Sequence, residues 1–339
     1  MRRAAPASGG GGYAASHAAA TAYRPPVSRA AVVVNPVHLD DPEKFRALVG
    51  AAMAEHGWNE PMWLETTPED PGEGQARTAV EAGADLVMAC GGDGTVTASA
   101  AGLAATGVPL AVIPLGTGNL LARNLGLPLD LGDALTVAFT GGSRQLDAGV
   151  ANGRLFLTMA GLGLDAKMLD GASETVKKRF GWAAYVVSAL RHLRDRPMQV
   201  RLRADSGPPL RRRASGVIVG NVGALQGGLP LLPDAQPDDG RLDVVVLTAR
   251  GLGDWLAVAM HVLARRPDTT SQVMRRTFAE LRIDTDRAHL WELDGKMMGR
   301  TRQLVITIAP GTLVVRVPAE VNDGEEVNDG KEVNDGETA

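Results

Sequence analysis

The sequence predicts an α/β N-terminal domain built on a parallel sheet, followed by a β-rich antiparallel sandwich domain. Three observations carry this. Short apolar runs alternate with helix-period stripes between residues 30 and 140. Two consecutive runs end in glycine turns. Beyond about residue 145 the alternation gives way to a succession of strand-like runs.

Ala30–Val34 opens the chain's first strand. Pro42 suits a first helical position, and Phe45, Leu48, Val49, Ala52 and Met53 make an apolar stripe behind it. Met62–Glu65 reads as a second strand and 75–82 as a short helix. Strands at 86–90 and 110–113 follow, and a helix over 130–140 closes the unit near Gly141-Gly142. This order implies parallel strands with right-handed crossovers. In the second half, Asp147–Phe156, Ala214–Val219, Leu242–Leu247, Leu281–Asp284, Leu304–Ala309 and Leu313–Val317 read as strands. The last two fit an antiparallel pair joined at Pro310-Gly311. Helices are expected at 173–194 and 252–265. The expected boundaries are a disordered extension over 1–28, an α/β domain over 29–145, a β-rich domain over 146–318 and an acidic disordered tail over 319–339. The active site is expected in the cleft between the two domains.

The first glycine turn is Gly91-Gly92-Asp93-Gly94-Thr95, between an apolar strand and a helix start. Glycines admit close backbone approach, and free N–H groups at a helix start favour an anion. Asp93 would repel phosphate unless Mg²⁺ lay between them, which points to a metal–nucleotide. The second turn, Pro114-Leu115-Gly116-Thr117-Gly118-Asn119, ends the next strand, so both lie at the carboxyl edge where open sheets bind ligands. Thr117 and Asn119 offer a hydroxyl and an amide, and Arg123 a cation. Neither turn carries a Walker or GxGxxG pattern.

With Val34-Asn35-Pro36 and the two turns, further marks follow in order: Ala160–Ala166, Leu232-Pro233-Asp234-Ala235, Asp239-Gly240-Arg241-Leu242-Asp243 and Leu293-Asp294-Gly295. Together they resemble the diacylglycerol kinase catalytic-domain family, soluble bacterial lipid kinases related to sphingosine and ceramide kinases, over residues 30 to 318. The resemblance implies an NAD kinase/diacylglycerol kinase-like fold and phosphoryl transfer from Mg-ATP to a lipid hydroxyl. It implies nucleotide contacts at Asn35, Thr66 (or Thr67), Gly91, Gly92, Asp93, Gly94, Thr95, Val96, Gly116, Thr117 and Asn119. It makes Asp294 the general base. It places a structural Mg²⁺ on one Asp side chain combined with backbone carbonyls, a set that falls on Gln236, Asp239 and Arg241. It makes 29–145 the nucleotide-binding domain and 146–318 the lipid-substrate domain, with the last strand a candidate to return to the first. Asp147 and Asp165 are weaker candidates for the cleft. The chain departs from the family at Thr97-Ala98, where Asn-Glu is usual, at Leu120, a common Asp, and at Lys296, where the family reads Glu.

The chain has 339 residues, 45% apolar content and one cysteine. That length allows two cores, and a lone Cys90 excludes an internal disulfide. No apolar run reaches transmembrane length, no signal-peptide pattern follows Met1-Arg2-Arg3, and the six His lack zinc-ligand spacing. A cytoplasmic protein with peripheral membrane association is expected. Residues 320–339 hold eight acids and one Lys; with the whole chain at −4, the remainder carries about +3. Cations concentrate from Lys177 to Arg213, including Arg191, Arg194, Arg196, Arg201, Arg203 and Arg211–Arg213, with Trp182 and Tyr185 among them. An anionic membrane surface is the expected partner beside the lipid alcohol, with a homodimer as candidate assembly. Nucleic acid is not expected. The rival readings are an NAD kinase, which shares the first glycine turn, and a non-catalytic nucleotide or lipid sensor.

Overall fold

A computed structural model describes residues 28–163, 197–224, 231–249, 251, 253–254, 257–258, 260 and 273–319. The first half contains β1 (Ala30–Val34), α1 (Pro42–Glu55), β2 (Met62–Glu65), α2 (Glu73–Glu81), β3 (Leu86–Gly91), α3 (Asp93–Leu103), β4 (Leu110–Pro114), α4 (Leu120–Asn124) and α5 (Leu131–Thr140). Caps fix the helix starts. The Asp41 carboxylate accepts the Lys44 N–H at 3.0 Å with Pro42 behind it, and Asp130 accepts the Gly132 N–H at 2.8 Å.

The four strands are parallel in the order β2-β1-β3-β4. Their residues alternate between two cores. Val33, Val87, Ala89 and Val112 pack with Ala76, Ala79, Ala100 and Leu103 of α2 and α3. Val32, Val34, Met88 and Ile113 pack with Phe45, Val49 and Met53 of α1 and Leu135 and Phe139 of α5. Burial on both faces explains why these strands read as unbroken apolar runs. The chain leaves β1 toward one edge and β3 toward the other, so a crevice forms beyond the carboxyl ends of β1 and β3.

The second half contains β5 (Gly142–Ala151), β6 (Arg154–Phe156), β7 (Met159–Leu162), β8 (Met198–Ala204), β9 (Leu210–Ala214), β10 (Gly216–Gly220), β11 (Leu242–Leu247), β12 (Val273–Phe278), β13 (Glu280–Leu293) and β14 (Lys296–Val317). These pair antiparallel in the order β12-β11-β10-β7-β13-β14, with β8 on β13, β9 on β8, and β5 on β14. β14 joins the halves: it pairs with β13 and β5, and Val315 meets Leu110 of β4 in parallel.

Several expectations are corrected. Asp147–Phe156 is a hairpin, turned by Asn152 and Gly153, whose φ values are 47° and 79°. Leu304–Ala309 and Leu313–Val317 belong to one strand, β14, with a register shift between Ala309 and Leu313 rather than a reversal, because both parts pair with β5. Strands β7, β8, β9 and β12 were not expected. The predicted helix at 173–194 lies outside the described residues. So does most of 252–265, where Gly253, Asp254, Ala257, Val258 and Met260 are helical.

Candidate active site

The ends of the parallel strands continue as a row of paired loops. The Thr66 N–H donates to Val34 O at 2.9 Å, Asn35 N–H to Cys90 O at 3.0 Å, and Leu115 N–H to Gly91 O at 2.9 Å. Asn35, Thr66, Gly91–Gly94 and Gly116–Asn119 therefore stand along one edge. The Asn35 side chain accepts the Val37 N–H at 3.1 Å and caps a short 3-10 turn over Pro36–His38.

The two glycine turns touch. A Cβ on Gly116 would fall 2.6 Å from Gly92 Cα, so only glycine allows this approach. A Cβ on Gly91 would fall 2.6 Å from the Thr95 hydroxyl, whereas one on Gly94 would meet nothing within 4 Å. Thr95 and Val96 are buried and support the turn from below, while Gly94 is exposed. The Asn119 amide is committed within its own loop, donating to Gly116 O at 2.7 Å and accepting the Gly116 N–H at 3.1 Å. Asn119 holds a φ of 47° there. Thr117 is exposed, and Arg123 Nε donates to Gly118 O at 3.0 Å.

Asp93 begins α3, and its carboxylate accepts the Leu120 N–H at the start of α4 at 2.5 Å. Burial pushes this carboxyl above the usual Asp range. The α4 amides oppose the rise, and the negative charge of Asp294 adds to it. Asp294 stands opposite, in the two-residue turn between β13 and β14; Asp294 and Gly295 have φ of 45° and 80°. Its Oδ1 accepts the N–H groups of Thr158 and Met159, each at 2.9 Å, and the Thr158 hydroxyl at 2.5 Å. Its Oδ2 accepts the Leu157 N–H at 2.9 Å and the Thr97 hydroxyl at 2.7 Å. Thr97, one turn after Asp93, thus ties the first half to the second half's turn. Lys296 opens β14 and is exposed.

Gln236, Asp239 and Arg241 are exposed in a turn outside this site, and Asp239 Oδ1 accepts the Arg241 N–H at 2.9 Å. Among the described residues no group of three or more His, Cys, Asp or Glu is arranged to hold a metal. Asp243 beside this turn is pushed up to about 6 by burial and by Asp239 and Asp234. Asp147 is buried, accepting the Gly240 N–H at 2.6 Å and the Gly311 N–H at 2.7 Å, which makes it a joint between loops. Asp165 lies outside the described residues, and Cys90 is buried with its thiol pushed far up.

Sequence reasoning missed two contributors. Thr97 looked like a lost polar group, yet its hydroxyl meets Asp294. The Leu157–Met159 backbone forms the cradle for that carboxylate, for which Thr158 gave no local signal.

An α/β crevice with touching glycine turns, closed by a carboxylate from a β-rich partner domain, defines a phosphotransferase class. Residues 29–151 match the Diacylglycerol kinase catalytic domain, and residues 158–317 match the YegS C-terminal NAD kinase beta sandwich-like domain. A relative named "Probable lipid kinase YegS-like" in Pseudomonas aeruginosa (strain UCBPP-PA14) is 34% identical over 285 residues, covering 82% of this chain and 90% of that one. One of the same name in Pseudomonas fluorescens is 31% identical, covering 82% of this chain and 92% of the relative. The crystal structure of a diacylglycerol kinase from Bacillus anthracis str. Sterne superposes with a TM-score of 0.68 at 22% identity, covering 87% of this chain and 98% of that one. This chain belongs to the diacylglycerol kinase catalytic-domain family.

Proposed function

We propose that this protein is an ATP-dependent lipid kinase that transfers the γ-phosphate of Mg-ATP to the hydroxyl of a diacylglycerol-like or sphingoid lipid at a membrane surface. The observation that carries the reading is the convergence of Asp93, the Gly92–Gly116 contact and Asp294 in one crevice. The open space at Gly94 and the α3 N-terminus suit phosphate oxygens. Asn35, Thr66 and Thr117 line the same edge and suit the rest of the nucleotide.

The residues present fit Mg²⁺ at the nucleotide. This ion takes one or two carboxylates together with substrate phosphates, and Asp93 provides one beside the glycine turns. When bound, Mg²⁺ would supply charge neutralisation of the phosphates. The Gln236, Asp239 and Arg241 turn offers one carboxylate and backbone carbonyls, an oxygen set suited to a structural Mg²⁺.

Asp294 is the proposed proton acceptor. Three backbone N–H groups hold the carboxylate in place, and its two hydroxyl partners can rotate away. A lipid hydroxyl taking the place of Thr97 Oγ1 at Oδ2 would deliver its proton there as it attacks phosphorus.

The deciding assay is phosphate transfer from Mg-ATP to diacylglycerol or sphingosine in vesicles, against soluble NAD, with Asp294→Asn beside the native chain. Lipid phosphorylation lost in the variant supports the reading. Phosphorylation of NAD overturns it in favour of an NAD kinase. ATP binding without transfer to any acceptor overturns it in favour of a sensor, a reading that the Lys296 substitution favours.

A further inference from the structure

The β8–β9 ribbon carries a charge arrangement that folding alone does not favour. β8 alternates strictly: Met198, Val200 and Leu202 are buried, and Gln199, Arg201 and Arg203 are exposed. Its partner β9 presents Arg211, Arg212 and Arg213, all exposed. The register sets Arg201 directly opposite Arg211, with Gln199 opposite Arg213. Like charges facing across a ladder destabilise it. Arg201, Arg211, Arg212 and Arg213 line a groove of about 430 Å³ together with Asp284 and Asp286 of β13. Asp284 stands directly opposite Arg201 across the β8–β13 ladder and interacts with its charge, while its carboxylate also bonds Arg282 and Gln303; Asp286 accepts the Gln199 N–H and faces His289. Arg201 thus lies between Asp284 on one side and Arg211 on the other, and among the described residues no carboxylate forms an ion pair with Arg211, Arg212 or Arg213.

We propose that this groove is a phosphate-headgroup site that docks the protein on anionic bilayers. An edge strand can be protected from pairing by a single charge. A cross-strand pair of planar, permanently charged forks converging on one groove instead suits a phosphodiester, which each fork can grip with two hydrogen bonds. The inference rests on the lipid-kinase reading for its choice of a bilayer over other polyanions, since the acceptor lipid resides there. The groove is set at Asp284 and Thr285 and the Asp294 turn ends the same strand; β14 spans the interval from Gln303 to Lys296, so roughly 20 Å separates docking from chemistry. A protein resting with β13 along the surface engages the bilayer at both ends.

The test is co-sedimentation of the full chain with phosphatidylcholine vesicles, with and without phosphatidylglycerol, for the native chain and for Arg201→Gln/Arg211→Gln/Arg213→Gln. The control is charge-matched: Lys44→Gln/Arg77→Gln/Arg154→Gln. Binding that needs phosphatidylglycerol and falls tenfold or more in the groove variant, but not in the control, is expected, at about a few-fold to tenfold per arginine. The corresponding lysine triple keeps the charge without the fork and should retain part of the affinity; it serves if the glutamine triple does not fold. Equal losses in groove and control variants would overturn the proposal, as would tighter capture of duplex nucleic acid than of vesicles. Turnover of a short-chain diacylglycerol dispersed in neutral detergent should be unchanged in the groove variant. If no chain phosphorylates lipid yet groove-dependent vesicle binding persists, the kinase reading fails and the docking site stands.

Discussion

At the scale of single residues, the two carboxylates of the crevice differ in what surrounds them. Asp294 sits among five donors, and Asp93 has one firm partner and a like charge nearby. Asp294→Asn should lower kcat by about a hundred- to ten-thousandfold while Mg-ATP still binds. It also turns an amide N–H₂ toward backbone donors, so a stability loss of about 1–3 kcal/mol should show in urea melts. A variant that keeps full turnover would remove Asp294 from the chemistry. Asp93 predicts a pH effect. Its folded carboxyl titrates above the ordinary Asp value, so it protonates earlier on acidification, and a protonated group no longer attracts Mg²⁺. Mg-ATP affinity measured by calorimetry should therefore weaken as pH falls through that raised value, and Asp93→Asn should flatten the profile. The stability sign is opposite. A raised carboxyl contributes stability below its unfolded value that is lost as pH rises through the folded one, so Asp93→Asn should melt higher than the native chain at neutral pH and equally at acid pH. Thr97 holds Oδ2 until the lipid hydroxyl displaces it in this scheme. Thr97→Val should therefore lower the KM for lipid with KM for ATP unchanged, and Thr97→Ser should behave as the native chain; identical behaviour of the two variants would reduce Thr97 to a helix residue.

At the scale of elements, β1 to β4 were legible because parallel strands buried on both faces read as apolar runs, and the glycine turns marked their carboxyl ends. Asp294-Gly295 was legible as a turn, and its hairpin follows from φ values above zero at both positions. Asn152-Gly153 carried the same two-residue signal inside a segment taken as one strand. β8 was hidden because its alternating arginines were read as a charge run; the period of two was present, but the apolar half of it was not counted. β14 was divided at Pro310-Gly311, where a proline and a glycine in sequence mimic a turn but form an irregularity. The Leu157–Met159 cradle could not be read at all, since backbone N–H groups that bind a carboxylate leave no trace in side-chain identity. The same view of the glycine turns gives a paired expectation. Gly116→Ala drives a Cβ against Gly92 Cα and must part the two turns, costing tenfold or more in ATP affinity. Gly94→Ala meets no protein atom and improves a helical position by about 0.5–1 kcal/mol, so it should melt higher. If phosphate occupies that open space, the same substitution weakens ATP binding. A Gly94→Ala chain with unchanged affinity would move the phosphates away from α3.

At the scale of the whole molecule, the first half is not closed without the second. Leu146, Ala148, Leu157, Leu313 and Val315 complete the core beneath α2 and α3, and β14 covers the edge of β4. Thr97 to Asp294 and Asn124 to Ala224 add polar ties, the latter a reciprocal pair at 3.0 and 2.9 Å. Asn221 donates to both Asp147 O at 2.8 Å and Leu157 O at 3.1 Å, locking three segments beneath the Asp294 cradle. Burying each large aliphatic side chain contributes about 1.5–3 kcal/mol. Removing Leu146, Leu157, Leu313 and Val315 together therefore takes away about 6–12 kcal/mol, the size of a whole domain's net stability. A fragment of residues 28–141 should consequently fail to melt cooperatively and should self-associate through the bared β4 edge, whereas residues 28–319 should melt in one transition. Size-exclusion chromatography and circular dichroism of the two fragments decide the matter. A monomeric 28–141 fragment with a sharp melt would show that the nucleotide half is an independent domain, and the crevice would then open and close by rigid motion about β14. Failure of that fragment means that the sheet running through both halves holds Asp93 and Asp294 in one fixed frame, so that substrate access must come from side chains and loops at the crevice.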